Sequence, residues 1–249
     1  MCSTTHIKDL YNVIRFSESL VNSRDTRMKK QKISAIIFDI DGTIVLLPID
    51  WNSILIKIKS LSPVSTKTFL GFISRYYGSN EFRYIHKYLE IVENSAIDAM
   101  TILDNADELL KKICKYIPIG FVTMQSRSAA EKIVYRMELY NCDKFLGVLA
   151  SREDASNRVE QLAKAIRSID INPNEVLFIG DKILDGIAAI VSKMNGIVIL
   201  RNPRTFRISD TDYIDEDLEA VGIPIATNLA EALAIAKDIY DLPIDISIS

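Results

Sequence analysis

A doubly wound α/β fold with a small helical insertion after its first strand is what this sequence predicts, on three observations. Short apolar runs rich in β-branched residues recur at 33–38, 117–122, 145–149, 176–179 and 196–200. Runs of that length without polar alternation suit strands buried on both faces, as in a parallel sheet. Helical patterns at 107–115, 128–140, 159–169 and 184–192 fall between them, and alternating strand and helix makes a Rossmann-like, doubly wound sheet. From 47 to 105 no strand-like run occurs. Helical patterns with aromatics at 51–61, 65–77 and 81–100 take its place, and the stretch is too long for a βα loop.

In chain order, residues 6–22 carry Ile7, Leu10, Val13, Ile14 and Leu20 at helical spacing, which predicts an amphipathic helix. It either covers an apolar patch or forms a homodimer contact, and the residues do not choose. Residues 22–32 read as a polar, basic linker with Lys29, Lys30 and Lys32 solvated. The domains expected are thus 1–32, helix and linker; 33–46 with 106–249, the α/β core; and 47–105, a helical cap over the first strand's end. Polar residues gather where the strands stop: Asp39-Ile40-Asp41-Gly42-Thr43, Thr123, Ser151 and Gly180-Asp181. Open α/β sheets bind ligands at the carboxyl ends of their strands.

The bulk properties exclude several classes. A chain of 249 residues makes one large domain or a domain with a small satellite. Thirty basic against thirty-three acidic residues leave a net charge of −3, so electrostatics gives no reason to expect nucleic acid or an anionic membrane. No apolar run approaches the roughly 18 residues of a membrane span. The first twenty residues, broken by Lys8, Asp9 and Arg15, lack the apolar core of a signal peptide. Cys2, Cys114 and Cys142 are widely spaced without a CxxC pair, which speaks against zinc or a redox dithiol. Inert thiols in a reducing cytoplasm are the expectation.

Asp39 and Asp41, at i and i+2 after a buried strand, are the sharpest chemical signal. Two carboxylates there are costly unless a cation or a reacting group uses them, and Gly42 permits the tight turn that follows. This segment resembles the first motif, DxDxT/V, of the haloacid dehalogenase superfamily. Thr123, closing Phe121-Val122-Thr123, and Gly180-Asp181-Lys182-Ile183-Leu184-Asp185, similar to a GDxxxD motif, follow in the family's order. The resemblance runs from 33 to about 238. It points to the phosphatase branch, of phosphoglycolate phosphatase-like type, because dehalogenase members lack an Asp at the position of Asp41.

What the resemblance implies is an aspartyl-phosphate mechanism. Asp39 is the nucleophile and Asp41 the acid, then the base. Thr123 donates to a phosphate oxygen. Mg²⁺ is held by the side chains of Asp39 and Asp181, the backbone carbonyl of Asp41, and Asp185 directly or through water. The family's usual Lys has no counterpart between Lys144 and Lys164. A cation is needed to shield the phosphate and Asp39, which selects Arg158, with Arg152 in reserve. The partner implied is a small phosphorylated metabolite, a phosphoglycolate- or sugar-phosphate-like monoester. A phosphomutase, or a non-catalytic binding or regulatory protein, are the rival readings. Gln125 and Arg127 follow Thr123 and are candidates to face the site. In the insertion, His86 and Arg83 with Tyr76, Tyr77, Tyr84 and Tyr88 either read the leaving group or build the cap's own core.

Overall fold

The computed structural model describes residues 30–61, 66–201, 218 and 220–244; the helix expected at 6–22 lies outside them. Six parallel strands form one sheet. β1 (Ala35–Phe38) is flanked by β4 (Ile119–Val122) and then β5 (Phe145–Ala150) on one side. On the other side lie β6 (Val176–Gly180), β7 (Asn195–Ile199) and the short β8 (Ile225–Ala226). The chain therefore winds outward from β1, returns to pair β6 beside it, and winds outward again. That reversal is the topological switch point where such sheets bind ligands.

Successive strand residues face opposite ways, and β1 shows it. Ile36 and Phe38 join a core with Ile119, Phe121, Leu177 and Ile179. That face is covered by α4 (Ala106–Ile113), α5 (Arg127–Arg136) and α8 (Leu229–Ile239). Ala35 and Ile37 join Val176 and Phe178 on the other face, under α6 (Arg158–Arg167) and α7 (Ile183–Val191). Every residue of β1, β4 and β6 is buried, which is why these runs carry no polar alternation.

After β1 the chain makes β2 (Val45–Leu46) and then three helices, α1 (Trp51–Leu61), α2 (Phe69–Tyr76) and α3 (Asn80–Ala96). It returns through β3 (Thr101–Ile102), which pairs antiparallel with β2, Val45 opposite Ile102. The helices build a core of their own from Ile54, Ile58, Phe72, Ile73, Phe82, Ile85 and Leu89. Each start is capped by a side-chain oxygen where one is at hand: Thr68 accepts from Gly71 N at 3.1 Å and Ser79 from Phe82 N at 3.0 Å.

Several expectations are corrected. The helix expected at 128–140 stops at Arg136, and Glu138 takes a left-handed φ of 57° before a short 3₁₀ turn over Leu139–Asn141. The helix expected to reach 100 stops at Ala96, followed by a 3₁₀ turn over Ile97–Ala99. The larger correction concerns cysteine. Cys114, after α4, and Cys142, before β5, are joined in a disulfide with Cα atoms 5.9 Å apart. Both sit against the core on the α4 and α5 face, so these two thiols are not inert. Wide sequence spacing hid them, because it is the β4–α5 unit between them that returns the chain and brings residues 28 apart together.

Candidate active site

The turn after β1 makes the site's floor. The Ile40 carbonyl accepts from Ile44 N at 3.0 Å and Val45 N at 3.1 Å, and Gly42 N donates to Val45 O at 2.7 Å. Gly42 has a φ of +89°, and a Cβ there would lie 2.2 Å from Asp181 Oδ2. Only glycine fits both demands. Behind the turn, Arg201 clamps it by donating to the carbonyls of Gly42 at 3.2 Å and Thr43 at 2.7 Å.

Asp39, Asp41, Thr123, Arg158 and Asp185 all line one cavity of about 700 Å³ between the strand ends and the helices α1 and α2. Asp181 stands beside them, its carboxylate within 4.8 Å of those of Asp39 and Asp185. The structure therefore brings together the six residues expected to do chemistry or hold metal, Asp39, Asp41, Thr123, Arg158, Asp181 and Asp185, whereas Ser151, also at a strand end, does not line the cavity. Arg158, at the first turn of α6, bridges two of the carboxylates: Nη2 donates to Asp39 Oδ1 at 2.9 Å and Nε to Asp185 Oδ1 at 2.8 Å. Thr123 is buried, its Oγ1 accepting from Gln125 N at 3.2 Å, and its hydroxyl proton remains available to an oxygen in the cavity.

The electrostatics are those of an acidic cluster short of cations. Burial pushes the Asp39 carboxyl well above its usual value; Arg158 pulls it back, while Asp185 and Asp181 push it further up. Asp181 is raised by burial, against the pull of Lys182. Asp41 is raised to about 6 by burial, despite the hydrogen bond from Leu47 N at 2.9 Å. Asp181 Oδ1 is buried without a hydrogen-bond partner among the described residues. An orphaned carboxylate oxygen beside two more carboxylates is the donor set that a hard divalent cation takes. The residues present therefore fit Mg²⁺.

Arg152, held in reserve for the phosphate, has a different place. It is fully buried, with Nη1 2.6 Å from Glu93 Oε1 and Nη2 3.0 Å from Glu93 Oε2, and Nε donating to His86 Nδ1 at 3.1 Å. The pair joins α3 to the end of β5 rather than reaching Asp39. His86 also pairs with Glu153 at 3.3 Å. Tyr77 donates to the Glu153 carbonyl at 2.6 Å, Arg83 to the Gly78 carbonyl at 3.1 Å, and Tyr84 is exposed. Tyr76 and Tyr88 pack on the helical core. None of these six lines the cavity. Arg127 pairs with Asp154, whereas Gln125 does face the cavity.

Three positioning residues escaped the sequence reading. Gln161 is fully buried and donates to the carbonyls of both Thr123 and Ser151 at 2.8 Å, while its Oε1 accepts from Arg158 Nη1 at 3.1 Å. It ties the ends of β4 and β5 to the arginine one turn earlier on α6. Glu93 accepts from Ser126 N at 2.9 Å besides Arg152. Lys182 pairs with Asp181. For Glu93 a signal existed: it continues the buried stripe Phe82, Ile85, Leu89 on α3, and a carboxylate on an apolar stripe requires a buried partner.

Comparison with known proteins agrees with this geometry. Residues 36–199 match the family of haloacid dehalogenase-like hydrolases. A pyrophosphatase, PpaX, from Bacillus mycoides is 25% identical over 183 residues, covering 60% of this chain and 75% of that protein. A hydrolase from Pseudomonas syringae superposes with a TM-score of 0.61 at 19% identity, over 84% of this chain and all of the other. A haloacid dehalogenase-like family hydrolase from Streptococcus pneumoniae does so with a TM-score of 0.58 at 18% identity, over 82% and 98%. With that match spanning both acidic motifs and the cavity between them, the chain belongs to the haloacid dehalogenase-like hydrolases.

Proposed function

We propose that this hydrolase is a Mg²⁺-dependent phosphatase. It cleaves a small phosphate monoester, phosphoglycolate- or sugar-phosphate-like, through an aspartyl-phosphate on Asp39. The observation that carries the reading is the placement of Asp39 and Asp41 on one turn at the cavity floor, with Thr123 and Arg158 beside them. A carboxylate oxygen of Asp39 attacks phosphorus and the ester P–O bond breaks. Asp41 gives its proton to the departing alcohol. Asp41, now a base, takes a proton from water; that oxygen bonds to phosphorus, and the bond to Asp39 breaks to release inorganic phosphate. One group serving as acid and then base needs a carboxyl held near neutrality, and burial raises Asp41 in that direction. Thr123 donates to a phosphoryl oxygen, and Arg158 favours the ionised form of Asp39 against the opposing effect of burial and shields its charge. Asp39, Asp181, Asp185 and the Asp41 carbonyl would hold Mg²⁺, which when bound neutralises phosphoryl charge. The partner we propose is a small soluble metabolite.

The test is phosphate release from a metabolite panel. Chelator should abolish it and Mg²⁺ restore it. Asp39→Asn should lose several orders of magnitude with the fold intact, and Asp41→Asn about 10²–10⁴-fold. Full turnover after exhaustive metal removal, or near-normal turnover of Asp39→Asn, would overturn the mechanism. Isomerised sugar phosphate without phosphate release would make the protein a phosphomutase.

A further inference from the structure

We propose that Gln125 is the specificity residue of this site and that, of the two substrate types named above, it selects the uncharged, ring-bearing alcohol over a phosphoglycolate-like second anion. The inference rests on the phosphatase reading above. Gln125 is 2% exposed, lines the cavity beside Thr123, and neither its Nε2 nor its Oε1 has a hydrogen-bond partner among the described residues. Its backbone is fully committed: N donates to Thr123 Oγ1 at 3.2 Å and O accepts from Arg152 N at 3.0 Å. The side chain is thus held in place by the same strand end that holds Thr123, with an unused donor and an unused acceptor. Buried amides are normally paired, and an orphaned one is destabilising. A ligand that presents an acceptor next to a donor would satisfy both atoms at once.

The rest of the cavity says what carries that polar edge. Beyond the carboxylates it is walled by Trp51 of α1, Phe69 and Leu70 of α2, Met124, and Leu184 and Ile187 of α7. Trp51 and Phe69 lie with ring centroids 4.9 Å apart and planes tilted by 36°, an aromatic wall against which a ring can pack. The cations on the lining are Arg158 and Lys182, and both are engaged by Asp39, Asp185 and Asp181 at the reacting end. A second phosphate or a carboxylate on the substrate would meet no cation away from the reacting end among the described lining residues, only neutral polar groups (Thr68, Ser74, Ser156 and Asn157) between apolar walls, so its charge would be desolvated uncompensated. A carboxamide is the matching reader for a neutral edge, and a site built to hydrogen-bond rejects ligands that leave it unpaired.

The experiment compares kcat/KM, in Mg²⁺, for uridine 5′-monophosphate, phenyl phosphate, phosphoglycolate and pyrophosphate, in the wild type and Gln125→Leu. The wild type should prefer the two ring-bearing monoesters over the two anionic substrates by about 10²-fold, the range by which a largely apolar pocket discriminates against an added polar group. Gln125→Leu should lose about tenfold more on uridine 5′-monophosphate, whose ring has a donor–acceptor edge, than on phenyl phosphate, whose ring has none. Its substrate-free melting temperature should not fall, since it replaces an orphaned amide by an apolar group of similar shape. Faster turnover of phosphoglycolate or pyrophosphate overturns the inference while leaving the phosphatase intact. Equal losses on the two ring-bearing substrates, or a lowered melting temperature, assign Gln125 a structural role instead. No phosphate release from any of the four, phenyl phosphate included, overturns the phosphatase reading itself and this inference with it.

Discussion

Arg158 and Arg152 are six positions apart and have opposite environments. Arg158 opens α6 beneath the cavity and spans Asp39 and Asp185; Arg152 is sealed against Glu93 with both side chains at 0% exposure. Arg158→Ala should therefore lower turnover by about 10²-fold, as when one preorganised electrostatic partner is removed, and Arg158→Lys should recover part of it by keeping the charge. Arg152→Ala should act on stability first, because it leaves Glu93 charged and buried. Steady-state kinetics beside thermal melting separates the two. Wild-type turnover in Arg158→Ala with a dead but well-folded Arg152→Ala would reverse the assignment. What sequence disclosed at this scale was composition at strand ends: a pair of aspartates after a buried run is conspicuous alone. What it hid was which of two nearby arginines turns inward, since that depends on Glu93, some sixty positions earlier on another helix, and on Gln161 bridging two strands.

At the scale of elements, the link between α3 and the end of β5 is a buried ion pair with a titrating rim. Breaking one partner of such a pair costs about 3–5 kcal/mol, while replacing both by apolar groups is near neutral. Glu93→Leu should thus be strongly destabilising and Glu93→Leu with Arg152→Met much less so, read by denaturant unfolding. The rim is Glu153. Burial alone would raise its carboxyl, but the hydrogen bonds from His86 and the Arg127 amide outweigh that and hold it down to about 2, against 4.5 unperturbed. A carboxylate with a depressed folded pKa stabilises above its unfolded value and loses that contribution as pH falls toward the folded one. Wild type should therefore lose more melting temperature between about pH 5 and 2 than Glu153→Gln does; parallel curves would deny the contribution. The disulfide is a third device at this scale. Closing a span of 28 residues stabilises by about 3.6 kcal/mol in the chain-entropy account, so reductant should lower the melting temperature of wild type and leave Cys142→Ser unmoved. The buried strands were legible because a two-sided burial leaves unbroken β-branched runs. The two-residue strands β2 and β3 were not, since they are too short to carry a period.

For the whole molecule, alternation of strand and helix disclosed the doubly wound sheet, and the lack of any strand-like run between 47 and 105, where only the two-residue β3 occurs, disclosed that helices intervene there. It could not disclose the strand order that sets β6 beside β1, and this order is what collects the acidic residues. With β1 and β6 adjacent at the middle of the sheet, Asp39 and the pair Asp181 and Asp185 meet at the carboxyl ends of these two strands. Three buried carboxylates face two cations there, so the fold without metal retains uncompensated like charge, which desolvation worsens. A divalent cation that binds the folded state and not the unfolded one stabilises it by mass action, about 2.7 kcal/mol at a hundred times its Kd. In a chain of this size that is a rise of roughly 5–10 °C in melting temperature. Asp181→Asn should act in both directions. It removes one of the repelling charges, so the metal-free protein should melt no lower than wild type. It also removes a ligand oxygen, so the rise with Mg²⁺ should shrink. The measurement is a melting curve of each protein with chelator and with saturating Mg²⁺, and it needs no turnover. A wild type indifferent to Mg²⁺, or an Asp181→Asn variant that gains as much from it as wild type does, would remove Asp181 from the metal site and leave its orphaned oxygen to be explained by another partner.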